Sequence, residues 1–280
     1  MEILRYAAFT TDPRGGNPAG VVLDATGADD AQMLRVAADV GYSETAFLMP
    51  RGENQFTVRY FSPLAEVPFC GHATIAAAVA HTDRFGPAVL GLDTRAGFVR
   101  VVTTTADDGV TTATLTSVTP RIEPLPPTDL TLLLAALGWA PGDLDAGLPP
   151  RVAFAGARHP ILAAATRSRL ADLSYDFDAL GVLMAQRDWT TVDLVWREST
   201  QVFHARNPFP PGGVIEDPAT GAAAAALGGY LRERELVAPP VTLTVFQGED
   251  MGRPSVLTVH VPLDPEAGIG VTGTAVALPA

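Results

Sequence analysis

The segment IEDPATGAAAAALGGYL, residues 215–231, decides how this chain folds. Two carboxylates and a proline lead through a threonine and a glycine into five consecutive alanines, Ala222 to Ala226. A helix here is apolar around its whole opening half, yet far too short to cross a membrane. Such a helix belongs in the middle of a domain, covered on every side. A second stretch, ATIAAAVAHT at residues 73–82, has the same character and follows FCGH. Around both lie β-branched runs: GVVLDA, FTVRYF, GFVRVVTTT, TTATLTSV, VTLTVF and SVLTVHV. Several alternate as half-buried antiparallel strands do. The expected fold is α+β: two pseudo-symmetric domains, each a curved, barrel-like antiparallel sheet wrapped around one buried central helix.

Two ordinary amphipathic helices are expected besides. One covers residues 29–40, with acids at its start and Gly41 as its stop; the other covers residues 128–138, ending on Gly138. The proline-rich segment TPRIEPLPPTDLT, residues 119–131, reads as a linker. The domains expected are therefore 1–118, with a C-terminal strand at about 268–280 returning to it, and 119–267. An internal echo supports duplication. CGHATIAAA (70–78) matches EDPATGAAA (216–224) at an offset of 146, with room for a slip of a couple of residues. The shared layout of strand, tight turn, small residues and buried helix carries more weight than the alanines.

Composition narrows the partners. The 280 residues are 47% apolar and 18% charged, with a net charge of -12. So acidic a surface repels phosphate backbones and anionic lipid, so neither nucleic acid nor membrane is an expected partner. A small acidic substrate stays possible, because local backbone dipoles hold anions whatever the global charge. One cysteine, Cys70, rules out an intrachain disulfide and any multi-cysteine metal site. The N-terminal residues do not read as a signal peptide, and a cytoplasmic protein is expected.

The two buried helix starts are where chemistry can happen. A first helical turn leaves N–H groups unpaired and carries about half a positive charge. Asp217-Pro218 has the form of ordinary capping, aspartate at the N-cap and proline at the first helical position. FCGHAT offers no such cap, so the N–H groups around Gly71, His72 and Ala73 await a partner such as a carboxylate. Gly71 lets a ligand approach the backbone closely. The helix dipole disfavours protonation of His72, and a neutral imidazole can pass a proton on. In GYSETAFLMP, alternation puts Glu44, Ala46 and Leu48 on one strand face. A carboxylate buried among them would suit proton transfer. On the residues alone, a solvated glutamate at a strand edge is the plainer reading.

Five blocks in order resemble the PhzF-like phenazine-biosynthesis isomerase family. They are GGNPAGVV (15–22), SETAF (43–47), VPFCGHATIAAA (67–78), EDPATGAAAAAL (216–227) and QGEDMGRPS (247–255). The resemblance implies the fold of diaminopimelate epimerase, with a site between two similar domains. It also implies a homodimer, no metal and no organic cofactor. The reaction implied is isomerisation of a trans-2,3-dihydro-3-hydroxyanthranilate-like carboxylate by movement of a proton across its ring. Glu44 matches the family's proton-carrying glutamate, and His72 and Asp217 match the residues that assist it. Ser43, Gly71, Ala73, Gly221 and Ala222 fall at the substrate-holding positions. Where the family pattern reads Asp-Pro-Ala-Thr-Gly-Ser, this chain has Ala222 in place of the serine. The hydroxyl is lost and the backbone N–H remains.

Other functions are weighed against this one. An epimerase of the same fold needs two cysteines, and the chain has one. A Cys70/His72 hydrolase suffers because residues two apart at a helix start face apart, and a lone cysteine beside Phe69 is more often core. A non-catalytic member that binds a metabolite or a protein would use the same pocket without tuned acids.

Overall fold

The computed structural model describes residues 1–279, which divide into two compact units. Unit 1 is Met1–Thr116 with Thr272–Ala280, and unit 2 is Ser117–Val271. Among the described residues no helix is long and apolar enough to cross a membrane.

Unit 1 runs β1 (Leu4–Ala8), β2 (Asn17–Val22), α1 (Asp30–Val40), β3 (Thr45–Gly52), β4 (Gln55–Phe61) and the short β5 (Glu66–Val67). It continues with α2 (Gly71–Phe85), β6 (Val89–Thr94), β7 (Gly97–Thr105) and β8 (Thr111–Thr116), and β17 (Gly270–Ala277) returns from the far end of the chain. Pairing runs β1-β2-β3-β4-β6-β7-β8-β17 and back to β1, a closed eight-strand barrel. Closure leaves the barrel strands no free edge. Inside lies α2, buried from His72 to Thr82 and touching β1, β2, β3, β7 and β8. Alanines at 73, 76, 77, 78 and 80 let the strands close to within a methyl's reach of the helix. α1 covers the outer face. Asp29 and Gln32 form a reciprocal capping box at its start, and its Met33 and Ala37 pack on Val22, Phe47 and Phe61. With α2 inside and α1 outside, Thr45 through Leu48 of β3 are all buried. The expected one-face alternation is therefore absent there.

Unit 2 contains β9 (Arg121–Pro124), α3 (Pro127–Leu137), β10 (Arg151–Phe154), β11 (Arg158–Ala163), α4 (Arg167–Ala171) and α5 (Phe177–Arg187). Then come β12 (Asp193–Arg197), β13 (Val202–Phe209), β14 (Val214–Asp217), α6 (Gly221–Glu233), β15 (Val241–Gln247) and β16 (Ser255–Val261). Strands β9-β10-β11-β12-β13-β15-β16 pair in that order, with β14 laid on β13. The buried α6 touches β9, β10, β11 and β16. Helices α3, α4 and α5 supply an outer layer through Leu133, Leu137, Leu170, Leu180 and Met184, joined by Trp139 and Trp189. The segment expected as a linker is structural: β9 pairs with β10, and α3 begins at Pro127. Helix α5 was not anticipated, although Asp176 caps it and Leu180, Leu183 and Met184 recur at helical spacing.

The units repeat one plan. In each, two antiparallel strands lead through helix to a third strand parallel to the second (β2 with β3, β11 with β12). An antiparallel partner, a short flap strand and the central helix follow, and the next strand runs parallel to that partner (β4 with β6, β13 with β15). Aligning the first residues of α2 and α6 pairs Gly71 with Gly221, an offset of 150 rather than 146.

Candidate active site

Cys70 occupies the N-cap of α2 in an extended conformation, and no side chain caps the helix. His72, on the first turn, is 6% exposed. The Asn17 amide Nδ2 lies 3.1 Å from its Nδ1. As oriented, that amide donates, so the ring hydrogen of a neutral imidazole sits on Nε2. Nε2 lies 3.4 Å from Glu44 Oε2 and 3.4 Å from Ser43 Oγ. Cys70 Sγ completes the group, 3.6 Å from Glu44 Oε2 and 3.4 Å from His72 Nδ1. Glu44 stands one residue before β3, half-buried, and its backbone carbonyl accepts from Gly20 N–H, which holds it in line with the sheet. The solvated-edge reading of Glu44 therefore fails. Asn17 opens β2 and is 2% exposed. Cys70 faces polar partners rather than core. Gly71 is half-buried and Ala73 fully buried on the same helical turn.

In unit 2 the two acids of the opening segment have separate jobs. Glu216 takes both prongs of the Arg206 guanidinium, Nε at 2.9 Å and Nη2 at 2.6 Å, and Arg206 also donates to the Ala171 carbonyl. This buried fork ties β14 to β13 and α4. Asp217, 7% exposed, accepts from Thr220 Oγ1 at 2.6 Å. The capping expectation is corrected here: α6 starts at Gly221 with Thr220, and not Asp217, at its N-cap, and Thr220 makes no side-chain cap bond. Gln247 fixes the turn between them. Its Nε2 donates to the Asp217 carbonyl at 2.7 Å, and its Oε1 accepts from Thr220 N–H at 2.9 Å. Gly248 follows at φ +77°, where a side-chain carbon would lie 2.2 Å from the Arg253 carbonyl and 2.8 Å from that of Pro218. The result is a rigid shelf holding Asp217 beside an uncapped helix start, with Gly221 buried and Ala222 half-buried.

A buried imidazole beside a carboxylate, at a helix start without a side-chain cap, is equipment for acid–base chemistry. The fold and this site define the class: an α+β enzyme with duplicated units built on buried helices. The family model of phenazine biosynthesis-like proteins (PhzC-PhzF) matches residues 6–280. The chain belongs to this family and is an isomerase by that kinship. It is 30% identical to the uncharacterized isomerase YddE of Escherichia coli K12, covering 99% of this chain and 96% of that one. It is also 30% identical to a trans-2,3-dihydro-3-hydroxyanthranilate isomerase of Pseudomonas fluorescens, covering 89% and 86%. A Bacillus anthracis phenazine biosynthesis protein of the PhzF family superposes with a TM-score of 0.88 at 27% identity, covering 100% and 98% of the two chains.

Proposed function

We propose that the chain shifts a proton between carbons of a small, unsaturated cyclic carboxylate of the trans-2,3-dihydro-3-hydroxyanthranilate type, with Glu44 as the carrier. The observation that supports this best is the Glu44 carboxylate, held 3.4 Å from the Nε2 of buried His72. Glu44 removes a proton from an acidified carbon and returns it to another, while the His72 N–H steadies the carboxylate between the two transfers. The substrate carboxylate is assigned to N–H groups at Gly71, His72 and Ala73, with Ser43 beside them. Asp217 assists, with Gly221 and Ala222 offering backbone N–H groups of their own. At Ala222 there is no hydroxyl, so that contact is a backbone contact. The Pseudomonas relative's name supports the substrate class.

The test is proton-exchange NMR on that dihydro-hydroxyanthranilate in deuterated buffer, comparing wild type with Glu44→Gln. A positioned general base contributes about 10²–10⁴-fold, or roughly 3–5.5 kcal/mol of barrier. The variant should lose that much while still binding the substrate. Undiminished turnover in Glu44→Gln would remove Glu44 from the role.

A further inference from the structure

The barrel of unit 1 has a second mouth, at the end of α2 away from His72. Asn17 opens β2 and Glu44 precedes β3, whereas Leu23 follows the end of β2 and Gly52 ends β3. Those last two residues lie on the rim of a cavity of about 470 Å³, within the roughly 300–1,000 Å³ of small-molecule sites. His81, Arg84 and Phe85 reach it from the last turns of α2. His81 stands nine residues after His72, about 13 Å along the helix axis. Leu4, Leu23 and Phe56 give the cavity apolar walls. Three rings stand in a row: Phe56 lies 5.4 Å from His81, and His81 lies 4.8 Å from Phe85, centroid to centroid. Phe85 is 65% exposed, so a ligand ring placed against it removes apolar surface from water.

The polar groups on this lining come in two signs. His81 is 6% exposed, and its Nδ1 is buried with no hydrogen-bond partner. Burial lowers its pKa from 6.5, so at neutral pH the ring carries one hydrogen. Buried N–H groups without partners are rarer than buried acceptors without them, which puts that hydrogen on Nε2. No described residue pairs with Nε2, and it is not walled in as Nδ1 is, so the cavity meets an N–H. Arg84 adds a guanidinium, whose two prongs now rest on Glu2 at 2.7 Å each. Both partners of that pair are exposed, and such pairs exchange at little cost. Glu2 and Asp24 stand on the rim as acids, and the α2 dipole turns its negative end this way. Two acids against one guanidinium repel a plain carboxylate, whereas a plain amine leaves Arg84 and the Nε2–H unmet. A zwitterion meets both sets. We propose that this cavity is a binding site for a free amino acid with an aromatic side chain. Its carboxylate takes the Arg84 guanidinium from Glu2 and accepts from His81 Nε2–H. Its ammonium lies between Glu2 and Asp24, and its ring packs on Phe56 and Phe85.

L-Phenylalanine is titrated into the chain by calorimetry and, in parallel, into chain labelled with nitrogen-15 at its five histidines. The His81 ring signals are assigned by their loss in His81→Gln. The expected result is one molecule per chain with a dissociation constant of about 1 mM or below, and a shifted His81 Nε2 resonance. 3-Phenylpropionate lacks the ammonium and phenethylamine lacks the carboxylate, so each should bind at least about tenfold more weakly. Arg84→Gln and Phe85→Ala, both at exposed positions, should each weaken phenylalanine binding at least about tenfold. Glu44→Gln, at the other end of the barrel, should leave it unchanged. No saturable binding below about 10 mM, equal binding of either truncated probe, an unmoved His81 signal or undiminished affinity in both variants would overturn the site. Binding lost in Glu44→Gln but kept in Arg84→Gln would place the amino acid at the start of α2 and overturn it as well.

Discussion

Asp193 and His159 share a buried chain of hydrogen bonds in unit 2. His159 Nδ1 pairs with Thr191 Oγ1 at 2.9 Å, Thr191 donates to Asn207 Oδ1 at 2.6 Å, and Asn207 Nδ2 donates to Asp193 Oδ1 at 3.1 Å. Burial pushes the Asp193 carboxyl up to about 7 from 3.8, against the Asn207 hydrogen bond, and burial pushes His159 down to about 4 from 6.5. The signs oppose. Folded Asp193 keeps a proton that the unfolded chain releases above about pH 4, so its stabilisation is present in acid and fades as pH climbs to 7. Folded His159 refuses a proton that the unfolded chain takes below 6.5, so its stabilisation is lost as pH falls toward 4. Asp193→Asn keeps the acceptor for Asn207 and removes the first effect. Relative to wild type, the variant should gain on the order of 2 kcal/mol in urea unfolding between pH 5 and pH 8. Parallel pH profiles would move the titration elsewhere. None of this network is visible in sequence, because its members lie up to 48 positions apart. The same holds for Asn17, which meets His72 across 55 positions, and for Gln247. His72 was legible as chemistry because a histidine on an uncapped helix breaks the local pattern, whereas the local pattern at Glu44 favoured a solvated strand edge and only the family resemblance pointed to its role.

Helix α6 shows what its small residues are for. A glycine inside a helix costs about 1 kcal/mol relative to alanine, so Gly228-Gly229 weakens α6 taken alone. The surroundings explain it. A side-chain carbon at Gly228 would lie 2.9 Å from Val259 Cγ1 and 3.0 Å from Ile269 Cγ2, and one at Gly229 would lie 2.4 Å from Pro120 Cβ. Pro120 is ring-bound to the backbone just before β9 and has little room to retreat. Gly229→Ala should therefore destabilise by about 1–3 kcal/mol despite its better helix propensity. Adding Pro120→Gly, which clears the contacting ring carbons, should recover most of that in thermal unfolding. An alanine variant that melts higher than wild type would show that strand and helix have slack here. At this scale the sequence was most legible for α2 and α6, because an all-apolar short helix has only one place to go. It was least legible at the helix boundary after Asp217 and in β9. Asp-Pro and the proline run carry strong local signals there, but tertiary bonds to Gln247 and to β10 prevail over them.

The repeat of strand senses in the two units explains why duplication is clear in topology and faint in sequence. What both copies must keep is room around a central helix, and only glycine and alanine record that. Chemistry-bearing residues are free to diverge. Cys70 and His72 at the start of α2 stand where α6 has Thr220 and Ala222, so only unit 1 holds the carboxylate–imidazole–thiol group. That asymmetry extends to construction, since the unit 1 barrel is closed by a strand from the far end of the chain. β17 pairs with β1 through Tyr6, Ala7 and Ala8, and with β8, where Thr114 and Thr272 share a hydrogen bond of 2.6 Å. Removing residues 272–280 leaves β1 and β8 as unpaired edges over an apolar helix, a geometry that invites aggregation or local opening. Hydrogen exchange should then show β1 and β8 amides losing protection by orders of magnitude, while β15 and β16 in unit 2 keep theirs. Because Phe9 N–H also bonds to the Thr274 carbonyl at 2.7 Å, loosening should reach the loop leading to Asn17, and the His72 anchor with it. Retained protection in β1 and β8 after the truncation would mean that α2, and not closure of the barrel, holds those strands in place.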